Sequence, residues 1–136
     1  MTRISDTAAR QRNLDSAELF YSAAIKGDWG TVAALLHPDF HILEAQDLPF
    51  NGTYEGLEGL QTLGKQVFTH FQHFSVEPLS FTANEDNVAV LIRAKGIGKK
   101  TAEPFETLIC EWLEFKSEKI VLLRPFYWDT LLINTV

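Results

Sequence analysis

The sequence predicts an α+β fold, with three helices covering one face of a mainly antiparallel sheet. Three observations carry this. Apolar residues recur at helical spacing near the start (Leu14, Ala17, Leu19, Phe20, Ala23) and again at Leu60, Leu63, Val67 and Phe68. Four consecutive runs rich in branched and aromatic residues fill the second half, at about 74–84, 88–98, 104–116 and 119–128. Glu85-Asp86-Asn87 and Ser117-Glu118 are tight turns, so the runs that they join must lie antiparallel.

The elements follow in order. Residues 1–12 are polar and read as a flexible arm before a single domain over 13–136. Asn13 or Asp15 caps the first helix and Gly27 stops it; Asp28 caps a second, short helix through Trp29, Val32, Leu35 and Leu36. His37-Pro38 ends that helix, because the residue before a proline avoids the α region. A strand covers about Phe40 to Ala45, and Gln46 to Gly56, with Pro49, Asn51 and Gly52, is a loop. The third helix runs from about Leu57 to Phe71, slightly weakened by Gly59 and Gly64.

Both faces of the strands are apolar. Helices can cover one face only, so the other is expected to meet a second copy of the chain, giving a homodimer. The alternation places Val88, Val90, Ile92, Cys110, Trp112, Phe126 and Trp128 on that outer face, and Ala89, Leu91 and Arg93 inside.

Composition narrows the function classes. The chain has 136 residues and a formal charge of -6, which argues against nucleic acid and anionic membranes as partners. Cys110 is the only cysteine, so no intrachain disulfide forms. No apolar run reaches transmembrane length and the first residues carry no apolar signal core, so a cytoplasmic location is expected. His37 and His41, and His70 and His73, lack the companions of a metal centre, and Gly96-Ile97-Gly98-Lys99-Lys100-Thr101 lacks P-loop spacing. No metal and no cofactor are expected. Asn51-Gly52-Thr53 is read as a turn, and Asp129 as a cap at the end of the last strand.

Two acids stand out. Glu44 follows Phe40-His41-Ile42-Leu43, and Glu111 shares a strand face with Ile109, Leu113 and Phe115. A carboxylate on an apolar face is costly unless it is paired, hydrogen-bonded or protonated. Arg93, on the inner phase of the neighbouring strand, is the expected partner of Glu111, either as a structural ion pair or as part of a site.

Several local patterns resemble one superfamily. Tyr21-Ser22-Ala23-Ala24-Ile25-Lys26-Gly27-Asp28 is similar to the end of the first helix of nuclear transport factor 2-like proteins. Leu35-Leu36-His37-Pro38-Asp39-Phe40 resembles their helix–strand junction, and Pro49-Phe50-Asn51-Gly52-Thr53-Tyr54-Glu55-Gly56 the loop before the third helix in SnoaL-like members. Glu111 to Phe115 with Arg124-Pro125-Phe126-Tyr127-Trp128-Asp129 looks like the terminal hairpin. The resemblance implies a cone-shaped α+β fold enclosing a cavity, as in ketosteroid isomerases, polyketide cyclases and scytalone dehydratases.

It also implies roles. Tyr21 falls on the oxyanion-hole tyrosine of ketosteroid isomerase, Glu44 on its general base, and Glu111 on the second oxyanion-hole acid; that enzyme is a worked case of pKa tuning. Arg93, Trp29, Leu63, Val67 and Tyr127 are the expected substrate-binding residues. The reading is a cofactor-independent isomerase, cyclase or dehydratase acting by acid–base chemistry on a small organic molecule. The alternative is a non-catalytic ligand-binding or protein-interaction module of the same fold. Two residues carry an alternative reading: Glu44 pointing to solvent at the cavity mouth, and Tyr21 as a core residue with a satisfied hydroxyl.

Overall fold

The computed structural model describes residues 4–136. Four helices and six strands follow in the order α1 (Ile4–Lys26), α2 (Trp29–Leu35), β1 (Leu36–Glu44), β2 (Gly52–Glu55), α3 (Gly56–His70), β3 (Phe71–Ala83), β4 (Asn87–Gly98), β5 (Pro104–Lys116), β6 (Lys119–Tyr127) and α4 (Thr130–Thr135). The strands form one sheet in the order β2-β1-β6-β5-β4-β3. It is open, with β2 and β3 as its edges.

Local chemistry accounts for the boundaries. Gly27 ends α1 at φ +74°, a backbone state that glycine adopts without steric cost. Asp28 caps α2 by accepting the Thr31 amide at 3.3 Å. Asn13, fully buried inside α1, donates to the Glu85 carbonyl at 2.9 Å and so fixes the helix to the β3–β4 turn. The apolar side of α1 (Ala17, Phe20, Tyr21, Ala23) then packs on the sheet with Val32, Leu63, Phe40, Ile42, Val90 and Leu113.

The structure corrects several expectations. Residues 4–12, expected as a flexible arm, lie within α1; residues 1–3 fall outside the described residues. The loop expected over 46–56 contains β2, paired antiparallel with β1 through Glu44–Gly52 and His41–Glu55. The described residues hold four helices, because Thr130–Thr135 folds as α4 with Asp129 as its N-cap, accepting the Leu132 amide at 2.9 Å. β1 runs parallel to β6 (Ile42 opposite Leu123), so the sheet is mixed.

The largest correction concerns the faces of β4. Val90 pairs with Glu111 and Ile92 with Ile109, so Val88, Val90, Ile92 and Ala94 are the inner, buried residues. Ala89, Leu91, Arg93 and Lys95 point outward. Both phases of β4 begin with apolar residues, so alternation alone does not choose between them. Register against β3 and β5 does: Arg93 sits beside Glu77 and Lys95 opposite Glu106, with cross-strand charges on the solvent side.

Two glycines of α3 separate helix propensity from packing. A methyl group at Gly64 meets nothing within 4 Å, whereas one at Gly59 comes within 2.7 Å of the Tyr54 main-chain carbon. Gly64→Ala should stabilise the fold by about 0.5–1 kcal/mol through helix propensity. Gly59→Ala should destabilise it by about 1–3 kcal/mol, because β2 must move away from α3. Urea denaturation of the two variants checks this; equal effects would mean that β2 does not hold α3 at this distance.

Candidate functional site

β6 lies between β1 and β5, and this brings the two acids together. Leu123 pairs with Ile42 on one side and Leu113 on the other, and Pro125 pairs with Glu111. Two residues beyond Ile42, Glu44 therefore stands across β6 from Glu111, on the same inner face. Two strand spacings put their backbones roughly 10 Å apart, within reach of two converging glutamate side chains.

Glu44 is 8% exposed. Its Oε2 lies 3.4 Å from the Tyr127 hydroxyl, a long contact, and its Oε1 is buried without a partner. Burial and, after it, the charge of Glu111 push the Glu44 carboxyl up to about 8; the Tyr127 hydroxyl pulls weakly the other way. Glu111 is half-buried as a residue, but its Oε1 accepts a 2.6 Å hydrogen bond from the Tyr21 hydroxyl beneath α1. Burial raises Glu111 above the usual carboxylate range, and the Tyr21 bond opposes that rise.

The difference between the two hydrogen bonds decides which acid ionises first. A short O–H···O⁻ bond favours the charged form far more than a long one. Glu111 therefore carries the first negative charge. The second ionisation, mostly on Glu44, meets an existing charge in a poorly hydrated setting. With its affinity raised to about 8, Glu44 keeps its proton at neutral pH, and the first charge of the pair falls on Glu111. Both tyrosines remain protonated: burial, then the neighbouring acids, hold Tyr21 and Tyr127 well above the usual phenol value.

The sequence-predicted residues separate into two groups. Tyr21, Glu44, Glu111 and Tyr127 converge. Tyr21 is also a core residue, edge-on to Phe20 and Phe81 at centroid distances of 5.2 and 5.9 Å. Its hydroxyl proton is engaged with Glu111 and is not free for another acceptor. Trp29, Leu63 and Val67 pack into the apolar core from α2 and α3. Arg93 does not join the group. It lies on the opposite face, half-exposed, with Glu77 at 3.0 Å and Glu106 at 3.2 Å, so the expected Arg93–Glu111 pair does not exist. The buried acids have tyrosines, not a cation, as hydrogen-bond partners.

Sequence reasoning missed Tyr54. Burial and the charge of Glu44 raise its phenol. Its hydroxyl donates to the Phe50 carbonyl at 2.7 Å and lies 2.8 Å from Gln66 Oε1, joining the 45–51 loop to α3. Its position in the Pro49–Gly56 pattern was the available signal. Two open grooves, of about 700 and 440 Å³, cross the surface; neither is lined by Glu44 or Glu111. The expected enclosed cavity around the acids is not among them. Among the described residues, no group of three or more His, Cys, Asp or Glu could hold a metal ion.

Linkage gives the first test. The folded state holds the Glu44 proton up to about pH 8, whereas an ordinary carboxyl releases it near 4.5. The stabilising contribution of that proton is complete below 4.5 and is lost as pH rises through 8. Glu44→Gln, a permanently neutral isostere, should match the parent protein at pH 4.5 and exceed its stability at pH 9 by on the order of a few kcal/mol. Denaturant titrations at the two pH values measure this; parallel pH profiles would contradict it. Tyr21→Phe removes the Glu111 donor and should cost about 1–3 kcal/mol at pH 7 in the same assay.

The comparisons agree with this architecture. The family model described as "SnoaL-like domain" matches residues 17–123. No curated protein matches. Among solved structures, an NTF2-like protein from Burkholderia xenovorans LB400 is 25% identical, with 92% of this chain and 95% of that chain covered and a TM-score of 0.78. TerC, co-crystallised with polyporic acid, is 16% identical over 90% and 95% of the two chains, with a TM-score of 0.77. A protein of ketosteroid isomerase-like fold from Catenulispora acidiphila DSM 44928, in complex with trimethylamine, is 15% identical over 88% and 91%, with a TM-score of 0.69. These likenesses show a nuclear transport factor 2-like fold. With more than half of its length matched by the family model, the chain belongs to the SnoaL-like domain family.

Proposed function

We propose that this protein is a cofactor-independent acid–base catalyst on a small organic molecule, of isomerase, cyclase or dehydratase type, with Glu44 as the proton-transfer group. The observation that carries this is the orphaned Oε1 of a buried carboxyl whose proton affinity is raised to about 8 by burial and by Glu111. An acid–base group works best when its pKa lies near the working pH. A minor fraction of Glu44 is ionised at pH 7, and that fraction is a far stronger base than an exposed carboxylate. Glu111 adds to this basicity, and the Tyr21 hydrogen bond favours the charged form of Glu111. Tyr127, next to Glu44, is the hydroxyl placed to donate to an oxyanion that forms there. The solved relatives with trimethylamine and polyporic acid support a small organic ligand.

The second reading, a ligand-binding module without catalysis, has one observation in its favour: neither open groove reaches the acids. Phe50 stands between the larger groove and the site: its ring lines that groove and packs on Tyr127 at a centroid distance of 6.2 Å.

Homodimer formation through the outer sheet face also belongs to this proposal. With the β4 faces corrected, the apolar row is Leu91, Leu108, Cys110, Trp112, Phe126 and Trp128, the last two 55% and 84% exposed. Such a row on one face favours self-association about a two-fold axis. The Trp112 indole donates to Glu114 at 3.0 Å, which fixes the ring on that face. Among the described residues, no helix is long and apolar enough to cross a membrane.

Two experiments test these statements. Exchange of the α-hydrogens of 2-tetralone with D₂O, followed by NMR, reads proton abstraction without a known substrate. The rate above buffer should rise with pH to a plateau above 8, fall by ~10²-fold or more in Glu44→Gln and by about 100-fold in Tyr127→Phe. An exchange rate in Glu44→Gln equal to the parent's would favour the binding module. Light scattering should return a dimer mass for the parent protein and a monomer mass for Trp112→Glu, which places a charge in the apolar row; a parent monomer at micromolar concentration would refute the dimer.

A further inference from the structure

The larger groove has a chemistry of its own. It runs between the end of α3 (Lys65, Gln66, Thr69, His70), the β4–β5 turn (Lys99, Lys100), Pro49 and Phe50 of the 45–51 loop, and Val136. Its volume is about 700 Å³, the scale of a small-ligand site. Three lysines and a histidine line it; no Asp or Glu side chain does, and the one acidic group among the lining residues is the main-chain carboxyl of Val136, whose oxygen accepts the Lys100 amide at 2.8 Å. This stands out on a chain with 18 acidic and 12 basic residues. Arg93 and Lys95 elsewhere on the sheet are paired with Glu77 and Glu106. Among the described residues, Lys65, Lys99 and Lys100 make no ion pair with a carboxylate.

Two of the lysines are held in place. Lys99 donates its ammonium to the Thr69 carbonyl at the end of α3, and Lys100 donates to the Asn134 carbonyl at the end of α4, at 3.2 Å. Cations at these helix ends are favourable in their own right. An ammonium has three N–H donors and each of these carbonyl bonds uses one. The lysines are therefore oriented and still have donors to offer. The groove also senses its own charge: the His70 imidazole is pushed down by burial, then by Lys100 and Lys99, against a hydrogen bond with the Ile133 main chain. The Phe50 ring sits edge-on to His70 at a centroid distance of 6.1 Å and supplies an apolar wall with Pro49 and Val136.

We propose that this groove binds an organic anion, a carboxylate or a phosphate monoester, with the anionic group among Lys65, Lys99 and Lys100 and the apolar body against Phe50. The inference does not depend on proton transfer at Glu44, which lies outside the groove; loss of one leaves the other standing.

The test uses 1-naphthyl phosphate, 1-naphthoate, inorganic phosphate and neutral 1-naphthol as probes, with isothermal titration calorimetry and the His70 ring resonances as readouts. At least one naphthyl anion should bind and raise the His70 midpoint, and added salt should weaken it. Which of the two binds tighter identifies the anionic group. Naphthol should bind more weakly because it lacks the charge, and inorganic phosphate because it lacks the apolar body. Lys65→Gln, which touches neither helix-end carbonyl contact, should lower affinity about tenfold, the size of one lost charge-assisted hydrogen bond. Lys100→Gln should do the same, with no more than the small drop in Tm that loss of its Asn134 contact brings. Binding of neither naphthyl anion, or binding indifferent to both lysines and to salt, would overturn the proposal and leave the lysines as helix-end caps.

Discussion

Two carboxyl groups on the inner face of one sheet, with no cation as a partner among the described residues, are the constraint on which the rest of this structure depends. Isolated buried charge is among the most expensive features that a fold can contain. Here the cost is limited in two ways. Glu111 accepts a short bond from Tyr21, and Glu44 keeps its proton. The two solutions are linked, because the charge on Glu111 helps Glu44 to hold that proton. Removing either tyrosine or either acid changes the protonation of what remains.

The architecture delivers this pair. The parallel contact between β1 and β6 places β6 between the acids, and Pro125 occupies the position opposite Glu111. A proline contributes no amide donor and no polar side chain, so nothing from β6 at that point neutralises the carboxyls. α1 closes the site by lowering Tyr21 onto Glu111, and it is fixed about two turns earlier by Asn13 on the β3–β4 turn. The same elements account for core packing and for the electrostatics of the site.

Much of this was legible in the sequence, and the failures have physical causes. The four late strands and α3 were readable because their periodicities are strong and their turns short. Glu44 and Glu111 were visible as acids in apolar strands. Arg93 was misplaced because β4 is apolar on both phases; the later pairs Arg93–Glu77 and Lys95–Glu106 were the usable signal, since two cations in one phase mark the solvent side. β2 was missed because Gly52–Glu55 is short and sits between turn residues, and its pairing with β1 is a non-local contact. α4 was missed because Asp129 was read as the end of a strand, although its side chain caps the next helix. No local pattern discloses which hydroxyl each acid meets, because Tyr21 and Glu111 are 90 residues apart in the chain.

Burial, and after it the charge on Glu111, keeps Glu44 protonated. Carboxyl ¹³C NMR of protein labelled at glutamate, titrated from pH 4 to 10 in the parent and in Glu111→Gln, tests it most directly. The account predicts a Glu44 midpoint near 8 in the parent. It predicts a lower midpoint in Glu111→Gln, where burial remains and the neighbouring charge is gone. A Glu44 resonance that titrates in the ordinary carboxylate range in the parent, or a midpoint unmoved by the substitution, would contradict it.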